Sequence, residues 1–113
     1  EAGAEAANAA REGRTRAERQ AEKRAEAERR KQLKPLKDEI TRLERTMEQL
    51  QARLGEIETA LSDEDLYADA RREEMTTLLQ EQGDLRTRLE TAEEDWLHAS
   101  ARYDARLQGD EVA

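Results

Sequence analysis

Eleven cationic side chains fall within one short stretch: Arg11, Arg14, Arg16, Arg19, Lys23, Arg24, Arg29, Arg30, Lys31, Lys34 and Lys37. Five Glu interleave with them, so residues 11–37 carry a net charge of +6. Lys and Arg at this density can neutralise phosphates and release their counterions, which is the chemistry of a nucleic-acid arm. The interleaved Glu weaken that field, and a solvated linker is the competing reading. A second cationic spot lies downstream, where Arg53, Arg86 and Arg88 meet if their segments run antiparallel, with Arg53 opposite Arg88. A like-charge pair does nothing for a fold, so an external anion would suit it. Alternatively, Glu56 and Asp84 neutralise these arginines along their own helices. Trp96 and Tyr103 have the ring faces to stack on bases, but both occupy hydrophobic-seam positions and are read as core.

No catalytic arrangement accompanies these cations. The chain has no glycine-rich phosphate loop and no nucleophile elbow. It has no Cys, which excludes a disulfide framework and a cysteine metal site. The single His, His98, falls on an outward position. Carboxylates such as Glu93, Glu94 and Asp95 sit where nothing would exclude water or shift a pKa. The expectation is a chain that is not an enzyme and holds no cofactor or metal of its own.

The elements that position these residues are set by spacing. Leu36, Ile40, Leu43, Met47, Leu50, Leu54, Ile57 and Leu61 follow one another in steps of four and three, an unbroken heptad seam. A second seam runs through Met75, Leu78, Gln82, Leu85, Leu89, Ala92, Trp96, Ala99 and Tyr103. The two mesh head to tail, pairing Leu36 with Tyr103, Leu43 with Trp96, Leu50 with Leu89 and Leu61 with Leu78. Large and small residues alternate, with Trp96 between Ala92 and Ala99. The predicted fold is all-α: a two-helix antiparallel coiled-coil hairpin preceded by a charged, partly helical or disordered linker.

Residues 1–34 form the linker in this reading, with fraying at its Ala-rich start. The hairpin covers 35–108, with helix 1 at about 35–61, a turn at 62–69 and helix 2 at about 70–107. A disordered tail follows at 109–113. Pro35 is expected to end the linker and open helix 1. Ser62 with Asp65 fits a capping box for the turn, and Asp69 an N-cap for helix 2. Leu66 and Tyr67 are expected to fold over the closed end of the hairpin.

Composition agrees with a narrow core, since 42% of residues are charged and only 3% aromatic. From Asp38 onward nine Arg face twenty-one acids, a net of −12, which repels nucleic acid from the hairpin body. No apolar run reaches membrane-spanning length and nothing resembles a signal peptide, so a cytoplasmic setting is the default expectation. The chain opens without Met and in mid-pattern, as a segment of a larger protein would.

Four stretches carry a family resemblance: Leu36-Lys37-Asp38-Glu39-Ile40, the Leu43-Glu44 step, Leu61 followed by Asp65-Leu66-Tyr67, and Glu93-Glu94-Asp95-Trp96-Leu97. Together, over about Pro35 to Leu107, they resemble the C-terminal coiled-coil domain of ABC-F family ATPases of the Uup-like and YheS-like branches. The basic arm resembles the variable linker after their second cassette. The resemblance implies a bacterial parent with two ATP-binding cassettes, acting at the ribosome, with DNA binding associated with the Uup branch's domain. ATP and Mg would belong to those cassettes and to no residue here. The implied partners are the ribosome, rRNA, tRNA or DNA, and the parent's cassettes in cis, with no membrane and a monomeric hairpin. The alternative is a structural hairpin that docks on its own cassettes or a protein partner without touching nucleic acid.

Overall fold

A computed structural model describes residues 2–109. Helix α1 covers Ala2–Leu61, two 3-10 turns follow at Glu64–Tyr67 and Asp69–Arg71, and helix α2 covers Arg72–Gln108. The chain divides into two units, Glu1–Pro35 and Leu36–Ala113. Among the described residues no helix is long and apolar enough to cross a membrane.

In the first unit, α1 already begins at Ala2 and runs through Pro35. This corrects two expectations: fraying over the first ten residues, and a helix boundary at the proline. A proline inside a helix forfeits one backbone bond and costs about 3 kcal/mol. Here Ala, Arg, Glu, Lys and Gln dominate the stretch before it, and each is a strong helix former. The Lys31 carbonyl, which loses its usual donor at Pro35, belongs to an exposed residue that water can reach.

In the second unit the two seams behave as their spacing requires. Each seam position from Leu36 to Leu61 and from Met75 to Tyr103 is buried or half-buried. Leu50, Leu54 and Ile57 of α1 form one cluster with Leu85 and Ala92 of α2, and Met47, Leu61, Leu78 and Leu89 pack against it. Near the connection, Arg53 bonds Glu81; farther from it, Ile40 and Glu44 share a hollow with Trp96 and Tyr103. Partner numbers on α2 rise as those on α1 fall, so the hairpin is antiparallel.

The connection completes the end of α1. The last four carbonyls of a helix lack partners beyond it. Here Ser62 N–H reaches the Glu58 and Thr59 carbonyls, Asp63 N–H donates to Ala60, and the Tyr67 hydroxyl donates to Leu61 at 2.9 Å. Ser62 Oγ also donates to the Thr59 carbonyl at 2.7 Å, so it closes α1 instead of capping the turn. The cap is Asp63, whose carboxylate accepts from Asp65 N–H at 3.0 Å. Asp69 is not the N-cap of α2; it opens the second 3-10 turn, and the α2 N-cap, Arg71, makes no side-chain cap bond.

Leu66 is fully buried, whereas Tyr67 is exposed and its hydroxyl bonds the Leu61 carbonyl. Tyr67→Phe is expected to cost about 0.5–1 kcal/mol, the lower range for one hydrogen bond, because water can rebind the freed carbonyl. Urea denaturation followed by Trp96 fluorescence would measure it. At the far end Gly109 adopts the left-handed conformation (φ 74°), and its N–H caps the carbonyls of Ala105 and Arg106. Residues 110–113 of the expected tail lie outside the described residues.

Candidate nucleic-acid interface

A continuous α1 turns the cationic list into a pattern. At about 3.6 residues per turn, Arg16, Arg19, Lys23, Arg30 and Lys34 fall on one narrow strip of the first unit's helix, bordered by Glu26. All five are exposed. Arg11, Arg24, Arg29 and Lys31 are exposed on other faces of the same helix. Arg14 shares the helix, but its side chain lies outside the described residues. Lys34 and Arg29 have interactions of their own. The strip spans ~27 Å at 1.5 Å rise per residue, and it presents three guanidinium forks and two ammonium groups on long stems with no aromatic platform among them. Such a surface can track a phosphate backbone but offers no ring on which bases could stack.

The remaining candidate cations lie in the second unit. Lys37 is exposed at the edge of a hollow beside Ile40 and Tyr103. Arg53 does not oppose Arg88 as an unmet charge. Its Nε and Nη2 donate to the two Glu81 carboxylate oxygens at 2.7 and 2.8 Å, and its Nη1 donates to Glu56 at 2.9 Å. The fork-to-fork pairing with Glu81 uses the guanidinium's geometry fully. An external anion would have to displace two carboxylates, so this spot is a clamp between the helices. Arg86 and Arg88 are exposed on α2 and form no ion pair among the described residues.

Hydrogen bonding to Arg53 is the main reason the Glu81 carboxyl is held below its usual range. Arg71 does the same for Glu74 through a paired contact at 2.9 and 3.0 Å. A lowered folded value means that the unfolded chain takes up protons first as the pH falls. The stabilisation is therefore complete above the unfolded Glu value and drains away as pH drops through the folded one. Glu81→Gln should melt below the parent at neutral pH, and the two melting curves should converge in acid. A constant offset at every pH would remove the clamp as the cause.

Other residues weighed for chemistry occupy plain positions. His98, Glu93, Glu94 and Asp95 are exposed on α2. No group of three or more potential metal ligands occurs among the described residues. Trp96 and Tyr103 are half-buried on the seam, and the indole Nε1 is buried without a hydrogen-bond partner among the described residues.

Residues 31–101 match the model of a family described as the ABC transporter C-terminal domain. No curated protein and no solved structure matches the chain. The matched span holds the hairpin from Leu36 to Ala99, whereas the cations from Arg11 to Arg30 lie upstream of it.

Proposed function

The chain belongs to the ABC transporter C-terminal domain family, and from that premise we propose that it is a non-catalytic interaction module of an ABC-F ATPase that helps its parent engage the ribosome or nucleic acid. The cationic strip of Arg16, Arg19, Lys23, Arg30 and Lys34 carries this reading. Five exposed cations on one helix face form a phosphate-binding edge, and their charge is opposite to that of the hairpin body. In this division of labour the arm holds the polyanion. The hairpin, acidic from Asp38 onward, stays clear of phosphate. ATP turnover belongs to the parent's cassettes.

Salt dependence tests it. The full chain is titrated with tRNA and with duplex DNA at two ionic strengths. Each phosphate contact on B-DNA contributes about 0.9 to the slope of log K against log salt, so replacing Arg16, Arg19 and Lys23 by Gln should reduce that slope by about 2.7. No binding at low salt, or an unchanged slope in the triple variant, would overturn the reading. The body's net charge of −12 favours a second reading, in which the hairpin docks on protein, its own cassettes or a partner, without nucleic acid. Under that reading the triple substitution leaves docking intact.

A further inference from the structure

The flank of the hairpin distant from the connection carries a surface that folding does not explain. Two adjoining hollows, of about 330 and 430 Å³, share Glu44 and Trp96. Met47, Trp96 and Leu97 line the smaller one, and Leu97, 61% exposed, is the most exposed large apolar side chain among the described residues. Ile40 and Tyr103 line the larger one. Three carboxylates and one cation border them, Glu44 and Glu93 at the smaller, Glu44, Asp104 and Lys37 at the larger, so the rim is net acidic. Glu44 and Glu93 form no ion pair among the described residues, so like charges border one hollow from opposite helices. That arrangement costs the hairpin stability and invites a cation from outside.

From this charge and shape we infer that the Trp96 flank docks a cationic amphipathic helix of a protein partner, its apolar side chains entering beside Leu97 and its Lys or Arg meeting Glu44, Glu93 and Asp104. The acidic rim repels phosphate backbones and anionic lipid, which excludes those occupants. A second copy of this chain could supply cations from its arm, but between Arg11 and Gln32 that arm has no apolar side chain larger than Ala to fill the hollows. The hollows follow α1 from Lys37 to Met47, ~15 Å and so about three turns of a partner helix. This surface is separate from the cationic strip, and its failure would leave the phosphate-binding proposal standing.

The test uses the full chain and the emission of Trp96, its only tryptophan. The probe is a synthetic helix of about three turns with Leu on one face and Lys on the other. Oligolysine of equal charge and the same helix with Glu for Lys are the controls. The Leu-Lys helix should shift the emission to the blue and saturate, and neither control should. Glu44→Gln with Glu93→Gln should weaken binding roughly three- to tenfold while leaving the melting temperature unchanged or higher. Leu97→Ala should weaken binding by a similar factor without unfolding the chain. Glu58→Gln, an exposed charge outside both hollows, should bind as the parent does. An equal response to oligolysine, no response to any probe, or rim and Leu97 variants that bind like the parent would overturn the assignment.

Discussion

Ile57→Ala is expected to cost the hairpin about 2–5 kcal/mol, the largest loss a single seam truncation should produce. A pair of helices leaves most seam side chains one open edge, which is why Ile40, Met47 and Leu89 are only half-buried. Among the described residues, the two side chains that lose that edge entirely are Ile57, about one turn before the end of α1, and Leu66 on the connection. Truncation at Ile57 removes three carbons from a fully buried site in the cluster it shares with Leu50, Leu54, Leu85 and Ala92. Transfer and cavity terms then add, because helices fixed by neighbouring layers cannot close the gap. Small domains hold only about 5–15 kcal/mol in reserve, and a two-helix hairpin belongs at the low end. Urea denaturation followed by Trp96 fluorescence isolates the hairpin from the helical signal of the first unit. Leu97→Ala, at an exposed position, should stay within about 0.5 kcal/mol of the parent and serves as the control. Equal effects at the two sites would mean that the seam does not carry the fold.

The seam was readable from the chain alone because helix pairing depends on spacing before it depends on anything else. Steps of four and three keep a stripe facing one partner, and burial follows for Leu36 through Tyr103 whatever the remaining residues are. Leu33, buried one step upstream of Leu36, extends the same rhythm and could have been found the same way. Pro35 was misleading because a local rule, proline as a helix boundary, competes with the summed propensity of the residues before it. Ser62 and Asp63 are both competent caps. Which one serves depends on where the last turn of α1 stops, and the backbone bond from Ser62 N–H to Glu58 decides that.

The flanking charges were the least legible. Arg53 meets Glu56 along its own helix, as the spacing of three allows, but its long, rotatable side chain also reaches Glu81 on α2, a partner that no spacing rule names. A helical wheel gives the direction of each Cβ but not where a guanidinium ends. The cationic strip lies between these extremes. The spacing of Arg16, Arg19, Lys23, Arg30 and Lys34 is visible in the sequence, but it becomes one face only once the arm is known to be helical throughout. The Trp96 flank was half-legible: Ala92 and Ala99 leave room beside a large indole, yet the side on which the hollows open depends on how the helices meet.

Gly55→Ala combined with Gly83→Ala is expected to stabilise the hairpin by roughly 2 kcal/mol, about 1 kcal/mol from each site. Both glycines lie inside exposed helix, where glycine gives up more backbone freedom on folding than any other residue and has no side chain to offset it. A Cβ at either position meets nothing within 4 Å, so no clash opposes the gain. Neither added Cβ touches a neighbouring side chain, so their effects should add. Gly109 provides the contrast. Space is open there too, but at φ 74° an added Cβ is strained, and Gly109→Ala should lower stability by about 1–2 kcal/mol. The measurement is again the urea midpoint, with the slope unchanged if only stability has moved. If the midpoint rises and the Leu-Lys helix, tRNA and DNA bind as before, the glycines are surface positions where selection left stability unused. If it rises while binding of any of the three falls, they mark the stretch where another backbone must come close, since Cβ atoms that meet nothing in the free hairpin could obstruct only a partner.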